Sequence, residues 1–218
     1  MKKNKLIALA LLSTATLLFS CKSKTPETTA TPENLAASET STPKGKYAIK
    51  SGIVQYKTEM MGMEVMQTLT FDDYGKKEAT DVEMEMMGVK IHTVNLTKDG
   101  FIYNLDMVKK TGTKSPEVNI ANASIDFENL SEEMVKEMDL KKLGTEEFLG
   151  KTCEKMSIDN KKMSMKGTFL VYKGIALKSE TDMGSMKMNL LAEKFEENPT
   201  LPAEKFEVPA DIKIQEIK

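Results

Sequence analysis

Apolar and polar side chains alternate with a period of two along two stretches of the chain. The apolar positions are Met63, Val65, Leu69 and Phe71 in the first stretch and Phe101, Tyr103, Leu105 and Met107 in the second. This period is typical of strands with one face buried. Turn signals stand between them at residues 72–75, at Gly88 and at Asp99-Gly100. The pattern therefore predicts a meander of antiparallel strands over residues 46–109.

A different pattern follows this meander. Residues 111–116 are rich in Thr, Gly and Ser and end in a proline, so they predict a break in regular structure. Ser131 then begins a predicted helix as its N-cap, and acidic residues occupy the first turn. The sequence predicts that this helix ends at Gly144. Its apolar face consists of Met134, Val135 and Met138.

Strand patterns return in the last third of the chain. They cover residues 152–158, 162–172, 175–182 and 186–196, with turn signals between them. A proline-rich segment, residues 199–209, leads into the final apolar positions Ile212, Ile214 and Ile217. We therefore predict a mainly β fold, in which one or two helices pack against a curved antiparallel sheet.

The first twenty residues have the organisation of an export signal. Three lysines precede a run of fourteen residues without charge, which is short for a membrane span, and Ser20 then precedes Cys21. The sequence Leu18-Phe19-Ser20-Cys21 resembles the lipobox of bacterial lipoproteins. This resemblance implies that residues 1–20 are removed and that Cys21 carries the lipid that holds the chain on a membrane.

Residues 22–45 have the composition of a tether. They are rich in Thr, Ser, Glu, Ala and Pro and contain few large apolar side chains. Such a segment cannot bury enough surface to offset the entropy lost on ordering. We predict a lipidated Cys21 and a disordered tether over residues 21–45, followed by one folded domain over residues 46–218.

Charge and cysteine content exclude some functions. All 31 basic residues are lysine, so the planar bidentate group that recognises phosphates and base edges is missing, and the formal net charge is −2. Nucleic acid is therefore not an expected partner. With Cys21 lipidated, Cys153 has no partner for an intramolecular disulfide, and we predict that it is a buried apolar residue.

Methionine is the unusual feature of the composition, with 17 residues in several clusters. Thioethers are soft ligands that suit Cu(I), so Met60, Met61 and Met63 are candidates for a copper site. Methionine also fills irregular cores and lines adaptable apolar surfaces. The alternation of methionine with polar residues favours this second interpretation, and the prediction is for no metal and no cofactor.

His92 is the only histidine, so every catalytic or metal scheme that needs an imidazole depends on it. Its neighbours predict a strand, where a surface or partly packed histidine is far commoner than a catalytic base. The chain has no glycine-rich phosphate loop, no Gly-x-Ser-x-Gly elbow and no Cys-x-x-Cys. The sequence therefore predicts that the protein is not an enzyme.

The order of these features resembles the lipoprotein-carrier superfamily typified by LolA and LolB, which includes sigma-factor regulators of the RseB type. Residues 47–54, 71–75, 144–153 and the C-terminal element 201–209 carry the resemblance. It implies a half-barrel: a strongly curved, incompletely closed antiparallel sheet whose concave apolar face is covered by helices and binds acyl chains. Lys22 is not the aspartate that retains lipoproteins in the inner membrane of enteric bacteria, so we expect the periplasmic face of the outer membrane.

Three functions follow from this interpretation. The first is a non-enzymatic lipoprotein that binds a lipid or acyl chain on the concave face of its sheet. The second is a sensor or scaffold with a dry core that binds an envelope protein, and the third is the Cu(I) site. For the first, the candidate lining or core residues are Met63, Val65, Leu69, Phe71, Phe101, Tyr103, Leu105, Phe169 and Val171, with Met134 and Met138 on the covering helix.

Overall fold

The computed structural model describes residues 45–60, 63–117, 125–184 and 186–217. The predicted signal, Cys21 and the tether up to residue 44 lie outside these residues, as does Met61. Among the described residues, no helix combines the length and the apolar character that crossing a membrane requires.

Twelve strands form one open sheet. The first six are β1 Gly52–Met60, β2 Met63–Asp72, β3 Lys77–Met86, β4 Val89–Lys98, β5 Phe101–Asp106 and β6 Thr111–Pro116. The others are β7 Lys141–Phe148, β8 Lys151–Asn160, β9 Met165–Tyr172, β10 Ile175–Asp182, β11 Lys187–Glu197 and β12 Lys213–Glu216. Their order across the sheet is β12-β6-β5-β4-β3-β2-β1-β11-β10-β9-β8-β7, so the sheet has two free edges and does not close into a barrel. The predicted mainly β, incompletely closed sheet is confirmed.

The predicted meander is confirmed in β1 to β5, which are neighbours in chain order. Two-residue turns make the β3–β4 and β4–β5 hairpins tight, and in the second of these Asp99 and Gly100 both have positive φ, as a type I′ turn requires. β1 also meets β11 antiparallel, with a bulge after Gln55. Bulges of this kind, which also interrupt the β7–β8 and β9–β10 pairs, bend strands and increase their twist, as a curved sheet requires.

Two predictions about elements were wrong. Residues 111–116 are not a break but strand β6, which pairs along its whole length with β5. The helix α1, Glu132–Glu137, ends well before Gly144, which lies inside β7 at a bulge. In both cases pairing with the neighbouring strand overrode the local signal. The described sheet is antiparallel except at one edge, where β12 pairs with β6 in parallel.

The predicted start of the helix is confirmed. The Ser131 side chain accepts a hydrogen bond from the Met134 amide at 3.1 Å, and Glu132 and Glu133 lie in the first turn. Two short 3-10 turns, Asp73–Gly75 and Ala203–Phe206, complete the regular structure.

The sheet has two faces that the pairing register separates. Val54, Tyr56 and Phe71 lie on one face, which we call face 1. Thr70, Ala79 and Leu96 lie on the opposite face, which we call face 2, because Thr70 is directly opposite Ala79 and Ala79 is opposite Leu96. Each face is covered by segments of the chain itself.

Face 1 carries two of the three buried clusters. The first joins Val54, Phe71 and Leu177 to Tyr47 and Ile49 of the segment before β1. The second lies over β8 and β9, where the segment 125–140 with α1 covers the sheet. Its buried members are Leu140, Met156, Ile158 and Val171.

Face 2 carries the third cluster, over β3 to β6. Ala79, Leu96 and Leu105 pack there against Phe206 and Ile212 of the C-terminal segment. The two ends of the described domain therefore cover opposite faces of one sheet.

Candidate functional site

The residues predicted to line a ligand cleft are divided between the two faces. Six of them lie on face 1, in β2 and β9: Met63, Val65, Leu69, Phe71, Phe169 and Val171. The other strand residues, Phe101, Tyr103 and Leu105, lie on face 2, because Tyr103 is opposite Leu96 and Leu105 is opposite Val94. The structure therefore does not bring the two predicted sets into one cleft.

Most of the face 1 set is packed against protein. Phe71 has no exposed surface, and its ring centroid lies 4.4 Å from that of Tyr47. Phe169 contacts Phe127 of the covering segment at 5.5 Å between ring centroids. Met138 packs against the same cluster and Met134 is half-buried, so α1 covers this part of the sheet as predicted. These side chains stabilise the fold whatever the domain binds.

An apolar strip leads out of this packed region along β2. Leu69 is half-buried, Val65 is buried and Met63 is 40% exposed, and the half-buried Gln67 interrupts the strip between Leu69 and Val65. Thr58 of β1 lies directly opposite Val65 of β2 on one side and Leu190 of β11 on the other. The Thr58 hydroxyl is buried there without a hydrogen-bond partner.

The topology gathers the methionine clusters at one end of the sheet. The hairpins β1–β2, β3–β4, β5–β6, β8–β9 and β10–β11 are neighbours in the strand order. Because every strand in this stretch is antiparallel to the next, all five turns lie at the same end. We call this the methionine-rich end. Its exposed apolar side chains are Met63, Met66, Met86, Met87, Val89, Val108 and Met163.

The opposite end of the sheet has fewer exposed apolar side chains among the described residues. Leu149, in the β7–β8 turn, is 42% exposed there, whereas Met87 at the methionine-rich end is 99% exposed. The concentration of apolar surface at one end was not predicted. The sequence shows the methionine clusters, but only the strand order shows that they are neighbours.

A groove of about 450 Å³ lies on face 2 between the sheet and the C-terminal segment. Its floor consists of β2 to β5, and Glu204, Lys205, Glu207 and Pro209 form one side. The floor contains two thioethers, two carboxylates and several small or aliphatic side chains: Met66, Met107, Asp81, Glu83, Thr68, Thr70, Ala79, Val94, Leu96 and Leu105. A second groove, about 570 Å³, lies on the same face over β8 to β11, and its walls carry charges of both signs.

His92 lies beside the first groove and has two acidic neighbours. Its Nε2 atom is 3.1 Å from Asp81 Oδ1 and 3.6 Å from Glu83 Oε1, and its side chain is 31% exposed. The prediction of a partly packed strand histidine is confirmed. The acidic neighbours were missed because they precede His92 by 11 and 9 residues, and the β3–β4 register alone places them beside it.

Cys153 is buried without exposed surface, as predicted. Burial raises the pKa of its thiol, and the nearby Glu147 and Glu146 carboxylates raise that pKa further. A thiol of this kind is a poor nucleophile at neutral pH.

Comparison with known proteins supports the fold. No family model matches the chain, and no curated protein matches it significantly. Among solved structures, an uncharacterized conserved protein from Thermus thermophilus has a TM-score of 0.55 at 9% identity, over 78% of this chain and 92% of that one. A chain of the Pseudomonas aeruginosa MucA/MucB complex has a TM-score of 0.51 at 10% identity, over 79% of this chain and 60% of that one.

MucB alone matches with a TM-score of 0.50 at 10% identity, and this chain spans 59% of its length. Identities this low establish the fold rather than the function. The chain therefore has a LolA/RseB-like fold, as the resemblance in its sequence implied.

Proposed function

We propose that this chain is a non-enzymatic binding protein of the bacterial envelope, anchored through a lipid on Cys21 at the periplasmic face of the outer membrane. Its methionine-rich end binds an apolar segment of a partner protein. The observation that carries the proposal is the concentration of exposed methionines on neighbouring hairpins. The anchor rests on the lipobox-like residues 18–21.

Soluble proteins rarely expose apolar surface of this kind, and where they do it commonly marks a binding site. Burying one large apolar side chain contributes about 1.5–3 kcal/mol, so a few of these methionines suffice for useful affinity. Methionine is unbranched and polarizable, which lets one surface fit partners of irregular shape. The second buried cluster, over β8 and β9, supplies a rigid support for the hairpin that joins these strands.

The similar structures add support for a protein partner. The Pseudomonas aeruginosa MucA/MucB structure is a complex of two proteins, and one of its chains shares the fold described above. The core of this chain is also filled by its own N-terminal segment and helix segment, which favours binding at the rim over binding in an interior cavity.

A second candidate is the lipid or acyl chain that the sequence predicted. The apolar side chains of Leu69, Val65 and Met63 on face 1 favour it, because they lie between the packed core and the methionine-rich end, with only Gln67 among them on that face. An acyl chain lying along this strip would bury its methylene groups at about 0.8 kcal/mol each. The Cu(I) site at Met60, Met61 and Met63 stays a prediction of the sequence.

Site-specific photocrosslinking distinguishes the two candidates. A photoreactive amino acid replaces Met87 in the lipidated full-length protein, and a matched variant carries it at Leu149, which is exposed at the opposite end. We expect a discrete protein adduct at position 87 and none at position 149. Replacing Met63, Met86 and Met163 by glutamine should abolish the adduct and leave the free energy of unfolding within about 0.5 kcal/mol of the parent, because these side chains are exposed.

The outcomes of this experiment separate the hypotheses. An adduct with the mass of a lipid would favour the acyl-chain candidate. Equal labelling at positions 87 and 149, or labelling that survives the glutamine replacements, would show that the methionine-rich end is not a specific binding surface.

A further inference from the structure

Four side chains with metal-ligand chemistry lie in one row across face 2. Met66 of β2 is directly opposite Glu83 of β3, and Glu83 is directly opposite His92 of β4. The fourth residue of the row is Met107, which directly follows β5. Its amide donates a hydrogen bond to the His92 carbonyl at 2.8 Å. Asp81 lies two residues before Glu83, on the same face and diagonal to His92. Thioether, carboxylate and imidazole groups therefore share one region of face 2, where Asp81, Glu83 and His92 are the closest together.

The three nitrogen and oxygen donors are already close to the geometry of a metal site. One ligand atom from each of Asp81, Glu83 and His92 lies within 4.8 Å of the others. Ligand atoms about 2.0–2.2 Å from a Zn²⁺ ion are separated by about 3.0–3.5 Å in tetrahedral or octahedral sites. The separations from His92, 3.1 Å to Asp81 and 3.6 Å to Glu83, are close to these values, and the two carboxylates lie within 4.8 Å of each other.

The backbone beneath these donors is held on both sides. β3 and β4 pair along their full length, and each also pairs with a further strand, β2 and β5 respectively. Donors placed on paired strands keep their positions better than donors on a loop. The donors are also accessible, since the Asp81 side chain is 42% exposed and the Glu83 side chain 72% exposed, beside the open groove.

The two carboxylates approach the imidazole at different distances. The His92–Asp81 contact at 3.1 Å is an ordinary hydrogen bond, but Glu83 at 3.6 Å is too distant for a second one. Two carboxylates therefore converge on one imidazole nitrogen. A divalent cation would neutralise both carboxylates and use the imidazole nitrogen as its third ligand.

We propose that Asp81, Glu83 and His92 form a binding site for a divalent first-row transition-metal ion. An imidazole with two carboxylates suits Zn²⁺ and Cu²⁺, whereas Mg²⁺ prefers oxygen ligands alone. Three protein ligands leave further coordination positions open, and Met66 and Met107, whose thioethers are softer donors, line the adjacent groove. The site uses none of the three methionines predicted as copper ligands and does not depend on the proposed partner binding.

The single histidine makes the test direct. Because the chain has one histidine, the imidazole proton signals of the untagged, full-length protein in detergent belong to His92 alone. Zn²⁺ should shift these signals and saturate at one equivalent, and Cu²⁺ should broaden them. Mg²⁺ at the same concentration should leave them unchanged.

Calorimetric titration with Zn²⁺ then assigns the ligands. Loss of an outer-shell partner commonly weakens metal binding about 10- to 100-fold, so loss of a direct ligand in His92→Gln, Asp81→Asn or Glu83→Gln should weaken it by more than about tenfold. Glu154→Gln is the control variant. It changes a carboxylate on the distant strand β8 that pairs with Lys142, and it should bind Zn²⁺ like the parent. Circular dichroism confirms that each variant folds.

Two results would overturn the proposal. One is a set of His92 signals that does not respond to a tenfold excess of Zn²⁺ or Cu²⁺. The other is an affinity for Zn²⁺ that is the same in His92→Gln as in the parent, which would place any bound ion elsewhere.

Discussion

At the scale of single residues, Cys153 shows how packing determines chemistry. It belongs to the first cluster with Leu170 and Ile175, and its Sγ lies 3.6 Å from the Lys151 carbonyl oxygen. Burial disfavours the thiolate, and two neighbouring glutamates disfavour it further, so the pKa of the thiol is raised. Both effects disfavour the thiolate, which is the reactive form of cysteine. From the sequence alone, a redox role for Cys153 was still possible.

We predict that the native Cys153 thiol reacts with Ellman's reagent at least about a hundredfold more slowly than in urea, because reaction requires rare opening of the core. The measurement is the absorbance of the released thiolate in a Cys21→Ser variant, in which Cys153 is the only thiol. Similar rates in the native and unfolded protein would mean that the pocket around Cys153 is open.

At the scale of elements, the C-terminal segment is the least expected part of the fold. Its 3-10 turn Ala203–Phe206 places the Phe206 ring among Ala79, Leu96 and Leu105 on face 2. Strand β12 then pairs in parallel with β6. The segment therefore both covers a cluster and forms one wall of the groove beside His92.

Phe206→Ala should destabilise the protein by about 3–5 kcal/mol, because it removes a buried ring and leaves a cavity. Ile217→Ala, at a position that is 50% exposed in the same segment, should change stability by less than about 0.5 kcal/mol. Urea unfolding followed by circular dichroism measures both. If the two variants unfolded at the same urea concentration, the segment would not be docked on face 2 in solution.

At the scale of the whole molecule, ion pairs join strands that are distant in the chain. Glu197 at the end of β11 pairs with Lys151 of β8 and with Lys173 of the β9–β10 turn, the latter at 3.5 Å. Partial burial raises the pKa of Glu197, but the hydrogen bond from Lys151 and the positive charges of Lys173 and Lys151 outweigh it. The net result is a lowered pKa. The ionised form is therefore preferred more strongly in the folded protein than in the unfolded chain.

A carboxyl group whose pKa is lowered by folding stabilises the protein at pH values above its unfolded pKa, and this contribution is lost as the pH falls through the folded pKa. Glu197→Gln should therefore be less stable than the parent at pH 7, and the difference should shrink as the pH falls below about 4.5. Urea titrations at pH 7, 5 and 3 measure it. A difference that did not change with pH would indicate lost packing rather than lost charge.

Glu196→Gln is the matched control. Glu196 is the preceding residue, and its carboxylate pairs with Lys194 at 2.5 Å, where the two side chains are 44% and 59% exposed. Exposed pairs of this kind contribute about 0–1 kcal/mol, so this variant should stay close to the parent at pH 7.

The sequence by itself determined the local elements. Alternation along residues 63–71 and 101–107 predicted β2 and β5, Ser131 predicted the start of α1, and Asp99-Gly100 predicted a tight turn. Each of these signals acts between residues that are close in the chain, so it can be read without the fold. The lone buried cysteine was also predicted, because a free cysteine without a disulfide partner is usually buried.

Only the tertiary structure decided which residues meet. Strand register placed Phe71 and Leu105 on opposite faces, gave β6 its partner, joined β12 to it in parallel and set Asp81 and Glu83 beside His92. The strand order placed five hairpins, and with them the methionine clusters, at one end of the sheet. Register and order depend on pairing between distant segments, where one residue of slip moves every side chain to the other face, and a local pattern carries no record of that choice.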